Sequence, residues 1–401
     1  MGENINENKD IELRNTHMGK ALVAMSGGVD SSVAAYLMRE AGYTPVGITM
    51  RLYDSSGISE TCCSINDVND AREVCTRLGI EHIVINYMEM FREKVIYDFV
   101  RTYLRGGTPN PCIECNRLLK FGSLMKKADE IGADKVVTGH YARIEYKPEY
   151  DRYYLRRATD MSKDQTYVLY FLSQEQLGRI VLPLGSYEKS RTREMAEAAG
   201  LITAHKADSQ DICFVPDGDY AGVIDEVVRA EAGHDTGFTA LPGEGVFVDS
   251  EGNVLGKHRG YYHYTIGQRR GLGVSAAGRL YVTDIIPDRN VVVLGGNDEL
   301  YVSHVEAQRF TLGSDILPDG TKMPIGSMED TQSSISGVPF ELPGITAKIR
   351  YNGHATPGRL RLLGGGRACV DFDSPVRAAA PGQSLVVYMD DYCIGGGVIT
   401  I

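Results

Sequence analysis

A glycine-containing turn, Ser26–Ser32, lies between an apolar run and a helical pattern, and it restricts the possible folds more than any other segment. The run Ala21–Met25 is continuously apolar, which is typical of a parallel strand covered on both faces. After the turn, apolar residues recur on one helical face, and Gly42 predicts the end of that helix. The turn therefore joins a buried strand to an amphipathic helix.

A turn of this kind is suited to hold a phosphate group. Glycine tolerates positive φ and lets the backbone approach an anion closely. The N–H groups at the start of a helix attract negative charge, and serine hydroxyls add further donors. A simpler interpretation is a turn in which Asp30 or a serine caps the helix. We favour phosphate binding because the complete string both follows a strand and opens a helix. The spacing of its glycines differs from that of the Walker A motif and from that of the dinucleotide-binding motif.

Strand and helix patterns alternate from Lys20 to His140. The predicted strands are 21–25, 46–50, 83–85 and 136–138, and the predicted helices are 33–41, 68–78, 90–104 and 118–131. This alternation predicts an α/β fold with a doubly wound parallel sheet.

The pattern changes after about Asp217, where glycine becomes frequent and helical periodicity fades. Short strand patterns cover 280–285, 291–294, 302–310, 345–351, 360–363, 368–372 and 384–389. They predict a small β-barrel or sandwich. We divide the chain into a disordered tail (1–19), a phosphate-loop domain (20–216), a small mixed central domain (217–277) and a C-terminal β-barrel (278–401), with a long insertion loop at 312–343.

Composition limits the class of protein. With 43% hydrophobic and 24% charged residues, the chain resembles a soluble globular protein. It contains no apolar run long enough to span a bilayer, and Met1–Asn15 lacks the apolar stretch of a signal peptide. We therefore expect a cytoplasmic protein with no membrane partner. The net charge of −11 argues against a polyanionic partner, although local basic surface decides such contacts. Two basic clusters are candidates: Arg152, Arg156, Arg157 and Lys163, and Lys257, Arg259, Arg269 and Arg270.

The eight cysteines are not expected to form a disulfide framework, because the chain has no secretory signal. Cys112 and Cys115 follow a proline-rich loop and precede a helical pattern. A helix N-terminus lowers the pKa of a thiol, which suits a nucleophile. Cys213 lies in the mixed polar and apolar string Asp208–Phe214. The remaining cysteines are interpreted as buried hydrophobic residues (Cys75, Cys369 and Cys393) or as loop thiols without a catalytic role (Cys62 and Cys63).

Together these strings resemble a known family. In chain order they are Ser26–Ser32, Asn110–Asn116, Thr138–Tyr141, Lys163–Gln165, Asp208–Phe214, Tyr264–Arg269 and Lys348–Asn352. The first resembles the PP-loop of ATP pyrophosphatases, which cut ATP between the α and β phosphates. The whole set resembles the tRNA-specific 2-thiouridylases, a family within that group, and covers roughly residues 20 to 275 with an extension into the β region.

The resemblance implies an adenine nucleotide alpha-hydrolase-like domain, and an enzyme that uses ATP and Mg²⁺ to adenylate the C2 oxygen of the wobble uridine in tRNA. Sulfur then replaces that oxygen, and AMP is released. It further implies tRNAs with a modified wobble uridine as partners, a sulfur-donor protein, a monomer, and a tRNA-binding role for residues 217–277.

The resemblance also implies roles for individual residues. Cys115 would be the nucleophile and Cys213 the persulfide carrier, and the two would form a redox disulfide. The implied ATP contacts are Ala24, Met25, Ser26, Gly27, Gly28, Val29, Asp30, Ser31, Met50 and Gly139. The implied tRNA contacts are Asn110, Pro111, Cys112, His140, Lys163, Asp164, Gln165, Arg350, Tyr351 and Asn352.

One position departs from the family pattern. Many members carry Asp where this sequence has Cys112. With Cys115 and Cys213, that residue makes a set of three thiols, which suits a 4Fe-4S cluster with one open iron. Zinc would want a fourth ligand in a structural site. Persulfide and cluster chemistry therefore both stay open at this point.

Three other functions are compatible with the phosphate loop alone: amidation of a small molecule by another PP-loop enzyme, thiolation of a different RNA base, and nucleotide sensing without catalysis. The paired thiols Cys115 and Cys213 argue against the first and the third. Residue chemistry does not identify the base, so the wobble uridine rests on the resemblance.

Overall fold

The computed structural model describes residues 18–53, 65–208, 212–215, 218–234, 236–238, 240–275, 278–324 and 339–400. Most of the predicted N-terminal tail, Cys62 and Cys63 lie outside these ranges. Within them, no helix combines the length and the apolar character needed to cross a membrane.

The helices are α1 (Val29–Glu40), α2 (Ile65–Leu78), α3 (Met88–Phe91), α4 (Tyr97–Leu104), α5 (Pro111–Cys115), α6 (Leu124–Glu130), α7 (Gln174–Arg179), α8 (Lys189–Ala198) and α9 (Tyr220–Ala230). The strands are β1 (Lys20–Ala24), β2 (Thr44–Arg51), β3 (Glu81–Asn86), β4 (Lys135–Val137), β5 (Arg143–Lys147), β6 (Arg152–Arg156), β7 (Ile180–Val181), β8 (Gly245–Val248), β9 (Val254–His258), β10 (Tyr281–Ile286), β11 (Val291–Gly295), β12 (Tyr301–Leu312), β13 (Phe340–Lys348), β14 (Thr356–Gly364), β15 (Arg367–Arg377), β16 (Ser384–Met389) and β17 (Tyr392–Thr400).

The first domain is built on a parallel sheet with the strand order β3-β2-β1-β4-β7. Leu22 and Ile48 face one hydrophobic core, while Ala21 and Val23 face another on the opposite side. Burial of both faces explains the continuous apolar run of β1. The predicted doubly wound α/β fold is confirmed.

The strand order places a topological switch point between β1 and β4. From β1 the chain continues outward to β2 and β3, and β4 then returns to the other side of β1. Helices that follow strands on opposite sides of such a point leave a crevice at the carboxyl ends of the two strands. Met25 comes directly after β1, and Gly139 is the second residue after β4, so the phosphate loop lies at this crevice.

The helical stretch after the proline-rich loop begins earlier than predicted. It starts at Pro111 instead of residue 118, and a π-helical segment, Asn116–Ser123, joins α5 to α6. Proline is favoured in the first turn of a helix because its missing N–H has no partner there in any case. Cys112 and Cys115 are therefore helical residues.

A four-stranded sheet with the order β10-β11-β8-β9 forms the central part of the molecule. Its strands come from both sides of the domain boundary that the sequence suggested at residue 277. β11 pairs in parallel with β8, so the segment from 281 to 295 completes this sheet before the barrel begins. The segment between β9 and β10 therefore connects two strands of one sheet, and composition alone does not distinguish such a connection from a domain boundary.

The C-terminal strands β12-β15-β14-β13-β16-β17 form a six-stranded barrel, which the pairing of β12 with β17 closes. The hairpin of β5 and β6 extends this sheet, because Leu155 pairs with Cys393. The sequence interpretation missed β17, whose Gly395–Gly397 suggests a turn. These glycines are instead required by close packing: a Cβ at Gly395 would lie 2.2 Å from the carbonyl oxygen of Thr311.

The predicted insertion loop at 312–343 is only partly irregular. Leu317 is buried in the barrel core, and the hydroxyl of Tyr154 donates to the carbonyl oxygen of Ile316 at 3.0 Å. Strand β13 already begins at Phe340. Residues 325–338 lie outside the described ranges.

Candidate active site

The phosphate loop curls over the start of α1. Gly27 has a φ of +75°, and a Cβ there would lie 2.4 Å from the carbonyl oxygen of Asp67. The backbone N–H of Ser26 donates to Oγ of Ser31 at 3.2 Å, and this hydroxyl donates to the carbonyl oxygen of Gly28 at 3.1 Å. Gly28 is the N-cap and has no side chain to occupy the first N–H groups of the helix. The loop is therefore a preformed cradle for an anion.

Gly139 brings the end of β4 against this cradle. A Cβ on Gly139 would lie 2.8 Å from the carbonyl carbon of Asp30 and 2.9 Å from the nitrogen of Ser31. On the other side of β1, Met50 is buried near the end of β2. The predicted nucleotide contacts thus surround the ends of three neighbouring strands, β2, β1 and β4.

Two lysines that the sequence interpretation missed lie beside the loop. Nζ of Lys189 is 2.7 Å and 2.8 Å from the two carboxylate oxygens of Asp30. Nζ of Lys206 donates to the carbonyl oxygen of Gly27 at 3.0 Å and is 2.6 Å from Asp67. Lysine within a polar helix or loop carries no signal of this kind in the sequence. The structure adds two positive charges to the predicted phosphate site.

Asp208 connects the loop to the segment that carries Cys213. Its carboxylate is 2.9 Å from Nζ of Lys189, 3.0 Å from Nζ of Lys163 and 2.8 Å from a guanidinium nitrogen of Arg193. Burial opposes ionisation of Asp208, but the hydrogen bonds from Lys189 and Lys163 outweigh it, and its pKa is lowered. The predicted tRNA contact Lys163 thus belongs to an ionic network around the phosphate loop.

Cys115 is the last residue of α5 and is buried, with 8% of its surface exposed. Burial raises the pKa of its thiol to about 11, although the charge of Lys120 acts in the opposite direction. The expectation that the helix N-terminus lowers this pKa is therefore wrong. Cys115 lies a full turn into the helix, where the effect of the helix dipole has faded and loss of hydration dominates.

Cys213 packs at the edge of the same hydrophobic core that contains Cys115. The backbone around it is held in place, because the hydroxyl of Tyr53 donates to its carbonyl oxygen. The neighbouring Phe214 is buried with its ring 5.6 Å from that of Phe91 and 5.1 Å from that of Phe99. Cys115 and Cys213 therefore contact the same hydrophobic core.

The third thiol, Cys112, is exposed. In the described part of the chain, the one group of three or more side chains arranged to hold a metal ion is His304, Cys369 and Asp371. Cys112, Cys115 and Cys213 are not gathered in that way. They therefore do not form a site for a single metal ion, while three thiols remain a donor set that suits a 4Fe-4S cluster chemically.

Besides Lys163, three of the predicted tRNA contacts form hydrogen bonds within the protein. His140 is buried, and one ring nitrogen lies 2.8 Å from the hydroxyl of Thr138. Burial, with the charge of Lys120, lowers its pKa well below the usual value. Asp164 is buried and accepts from the N–H of Ala158 at 3.1 Å. Gln165 accepts from the N–H of Tyr141 at 2.8 Å. The hydrogen bonds of these three side chains stabilise the protein around the candidate site.

The predicted contacts at 350–352 lie beside Cys112. Arg350 and Asn352 are exposed. Tyr351 is half-buried against the ring of Tyr167, at a centroid distance of 6.0 Å. Burial raises the pKa of Tyr351, and electrostatic interaction with the neighbouring Asp164 and Cys112 raises it further. The barrel thus contributes its 350–352 strip to the same region as the thiol helix.

Gln383 of the barrel is another residue that the sequence interpretation missed. Its side-chain amide donates to the carbonyl oxygens of Thr108 at 2.9 Å and Pro109 at 3.1 Å. The N–H of Thr108 donates to the carbonyl oxygen of Pro381 at 2.7 Å. These bonds fix the loop before α5, and the predicted contacts Asn110 and Pro111 with it. Asn110 also lines a cavity of about 490 Å³ between this loop and the barrel.

The two basic clusters have different surroundings. In the first, Arg152 pairs with Asp315 and Arg156 pairs with Glu145 and Asp391. In the second, all four side chains are exposed on the central domain: Lys257, Arg259, Arg269 and Arg270. The second cluster is therefore the better candidate for contact with a polyanion.

Comparisons with known proteins cover most of the chain. Family models described as tRNA methyl transferase HUP domain, tRNA methyl transferase PRC-barrel domain and Aminomethyltransferase beta-barrel domain match residues 19–217, 239–296 and 337–399. A crystal structure of a 4-thiouridine synthetase–RNA complex with bound ATP aligns over 49% of this chain and 45% of that chain, with a TM-score of 0.32 and 18% identity. That likeness is too weak to bear on function.

Curated relatives are much closer. The tRNA-specific 2-thiouridylase MnmA 2 of Caldanaerobacter subterraneus subsp. tengcongensis is 46% identical over 95% of this chain and 97% of its own length. The MnmA of Carboxydothermus hydrogenoformans is 46% identical with the same coverage, and that of Clostridioides difficile is 42% identical over 95% of this chain and 98% of its own length. With such identity along nearly its whole length, the chain belongs to the family of tRNA-specific 2-thiouridylases called MnmA.

Proposed function

We propose that this protein is an ATP-dependent sulfurtransferase that replaces the C2 oxygen of the wobble uridine in tRNA with sulfur. The observation that carries this proposal is the position of Lys189, whose Nζ is 2.7 Å from Asp30 of the phosphate loop and 2.9 Å from Asp208. Asp208 begins the string that holds Cys213. The loop that activates ATP and the segment that carries sulfur therefore share one cation.

The first step is adenylation of the base. The C2 oxygen of uridine attacks the α-phosphorus of ATP, and pyrophosphate leaves. The open N–H groups at the start of α1, with Lys189 and Lys206, stabilise the charge that develops on the departing pyrophosphate. Mg²⁺ supplies further neutralisation of phosphate charge when bound, and Asp30 is the loop carboxylate that would hold it. This step converts a poor leaving oxygen into AMP.

The second step transfers sulfur. The terminal sulfur of a persulfide on Cys213 attacks C2, and AMP leaves with its bonding electrons. The thiolate of Cys115 then attacks Sγ of Cys213, which breaks the S–S bond and leaves the transferred sulfur on C2. The products are 2-thiouridine and a Cys115–Cys213 disulfide, which a cellular dithiol reopens by exchange. A sulfur-donor protein reloads Cys213 with persulfide.

Cys115 must change its surroundings for this chemistry. A thiol with a pKa of about 11 is almost entirely protonated at neutral pH, and the thiolate is the reactive form. The target base must also leave its stack to reach the crevice. We propose that tRNA docking rearranges α5 and exposes Cys115 beside the base, while Arg350, Asn352 and the exposed cluster on the central domain hold the RNA. The catalytic unit is a monomer.

A 4Fe-4S cluster on Cys112, Cys115 and Cys213 is the competing source of sulfur. We favour the persulfide because it needs only Cys115 and Cys213, which contact the same hydrophobic core, whereas Cys112 is exposed. Anaerobic reconstitution of wild type and Cys112→Ala separates the two mechanisms. The persulfide mechanism requires thiolation by an iron-free protein and by the variant. Loss of both iron binding and activity in Cys112→Ala would establish the cluster instead.

The decisive experiment measures pyrophosphate release and nucleoside composition together. Purified protein should release pyrophosphate from ATP only when tRNA is present. The tRNA of cells that lack the protein should lose 2-thiouridine derivatives at the wobble position. Pyrophosphate release that depends on a small amine would contradict the proposal. Loss of a thiolated base at another position would show that the enzyme acts on that base instead of the wobble uridine. Methyl transfer, which the family-model descriptions name, would add CH₂ to the nucleoside rather than exchange oxygen for sulfur.

Two cysteine variants separate the steps. Cys213→Ser and Cys115→Ser remove the sulfur chemistry but leave the phosphate loop intact. Both should retain tRNA-dependent pyrophosphate release and lose 2-thiouridine formation. Cys75→Ser is a matched control because Cys75 is a buried thiol outside the site, between α2 and the parallel sheet. If it lost thiolation equally, a general effect on folding would explain the loss.

A further inference from the structure

The outer face of the barrel carries a cluster of metal-binding side chains that thiolation does not use. In the antiparallel pairing of β12 with β15, His304 lies opposite Asp371 and Glu306 lies opposite Cys369. Opposite residues, and residues two apart on a strand, project to the same face of a sheet. Val305 and Ala307, which alternate with them, face the barrel interior. The four side chains therefore share the outer face.

Their donor atoms are close together. Three residues, His304, Cys369 and Asp371, each offer one ligand atom, and these three atoms lie within 4.8 Å of one another. Nδ1 of His304 is 2.7 Å from Oδ1 of Asp371, and Nε2 is 3.4 Å from Oε1 of Glu306. Cys369 is only 1% exposed, while the side chains of His304 and Asp371 are 45% and 43% exposed. The thiol thus forms the floor of a shallow site whose rim reaches solvent.

The positively charged side chain of Arg361 lies next to these acidic groups. Arg361 on β14 is opposite Cys369, and its Nε is 2.8 Å from Oδ2 of Asp371. The guanidinium also lies near enough to Cys369 to lower the pKa of that thiol, although burial dominates and raises it. Arg361 therefore balances the charge that a bound metal ion would neutralise, and the two must compete for the same ligands.

We propose that His304, Cys369 and Asp371 bind a divalent ion of the zinc class, with a solvent molecule as the fourth ligand. Zinc takes nitrogen, sulfur and oxygen donors together in tetrahedral sites, and this mixed set suits it better than Mg²⁺ or Ca²⁺. On binding, Cys369 releases its proton to solvent, and Arg361 swings away from Asp371. The ion would join β12 to β15 on the side of the barrel that thiolation leaves unused. The proposal does not depend on the thiolation function.

Cobalt(II) is the spectroscopic probe for this site. Added to the full-length protein, it should give a thiolate-to-cobalt charge-transfer band together with visible bands of tetrahedral intensity. The bands should persist in Cys112→Ser/Cys115→Ser, which lacks two thiols of the active site, and disappear in Cys369→Ser. Persistence of the bands in Cys369→Ser, or their absence in wild type, would overturn the proposal.

Two positions that are more accessible than Cys369 provide a test that does not depend on the folding of the Cys369→Ser variant. His304→Ala should weaken Zn²⁺ binding at least about tenfold, since even changes outside the ligand set have effects of that size. Arg361→Gln should strengthen Zn²⁺ binding by a similar factor, because the competing cation is gone. Competition with a chromophoric chelator measures both changes. Equal affinity of wild type, His304→Ala and Arg361→Gln would show that the cluster is only a network of surface ion pairs.

Discussion

At the scale of single residues, the sequence is informative about chemical type and much less about protonation state. Cys115 is a thiol next to a proline-rich loop, and that context favours a reactive thiolate. Its burial reverses the expectation, because an apolar environment penalises the charged form. The packing of α5 therefore controls the protonation of the proposed nucleophile Cys115.

This burial predicts the alkylation behaviour of the protein. With a pKa of about 11, roughly one Cys115 thiol in ten thousand is ionised at pH 7. Iodoacetamide should therefore label the exposed Cys112 well before Cys115 near neutral pH, and labelling of Cys115 should keep rising until the pH approaches 11. Peptide mass spectrometry over a pH series measures both rates. Adding tRNA and ATP should increase the rate at Cys115 near neutral pH. Equal labelling of the two thiols at pH 7 would contradict this account.

At the scale of secondary structure elements, the main finding is an ionic connection between α1, α8 and the string that begins at Asp208. Lys189 on α8 contacts both Asp30 on α1 and Asp208. Lys206, just before Asp208, also holds the carbonyl oxygen of Gly27. Phosphate groups in the loop would compete for both lysines. Nucleotide binding can therefore alter how firmly the Cys213 segment is held.

Asp208→Asn tests this connection. The change removes the negative charge that holds Lys163, Lys189 and Arg193, while Asn keeps hydrogen-bonding atoms and solvent screens the part-exposed pairs. We expect the variant to keep its fold, to become less stable by about 1–3 kcal/mol, and to thiolate tRNA much more slowly. Urea unfolding and nucleoside analysis measure the two effects.

The pH dependence of stability provides the control. The pKa of Asp208 is lowered in the folded protein, so its contribution is present above the pKa of an unfolded aspartate and is lost as the pH falls through the folded value. The difference in stability between wild type and Asp208→Asn should therefore shrink as the solution is acidified. A difference that is constant down to low pH would show that the carboxylate charge is not responsible. Glu194→Gln, on the exposed face of α8, is the matched variant that should change little.

At the scale of the whole molecule, the barrel is a structural part of the candidate active site. Gln383 and the backbone at Pro381 bind the loop before α5. Tyr351 packs on Tyr167 next to Cys112. The hairpin of β5 and β6 joins the edge of the barrel sheet. The position of the thiol helix relative to the phosphate loop therefore depends on both ends of the chain.

Gln383→Glu tests the contribution of the barrel. The variant keeps the size of the side chain but replaces the amide donor with an acceptor, which repels the carbonyl oxygens of Thr108 and Pro109. We expect kcat for tRNA thiolation to fall about tenfold or more, since small displacements of catalytic groups have effects of this order. ATP affinity without tRNA should not change. A loss of ATP binding would mean that the whole domain interface had been disturbed.

The exposed basic cluster on the central domain predicts the salt dependence of tRNA binding. Arg269 and Arg270 are exposed. Neutralising both to Gln should weaken tRNA binding and reduce the slope of log K against log salt by about 1 for each phosphate that the protein no longer neutralises. Filter binding over a series of salt concentrations measures the slope. Arg191→Gln, an exposed arginine on α8 that pairs with Glu194, should leave the slope unchanged.

Elements whose signal is local could be predicted from the amino-acid sequence. Ser26–Ser32 predicted a turn between a strand and a helix, and alternation of the patterns around it predicted the parallel sheet. Both succeed because a short-range pattern of glycine and apolar residues is enough to specify a strand, a turn and a helix. The sequence around Cys112, Cys115 and Cys213 was likewise enough to select these three thiols as candidates.

Properties that depend on distant parts of the chain required the folded structure. The ion pairs of Lys189 with Asp30 and Asp208 join residues from separate elements, and no local pattern marks them. Gly395–Gly397 suggests a turn until the packing of β17 against β12 requires its small residues. The protonation of Cys115 follows from its loss of hydration. Burial and long-range charge contacts are properties of the folded chain, and for that reason the sequence indicated the chemistry while the fold set its protonation and its charge partners.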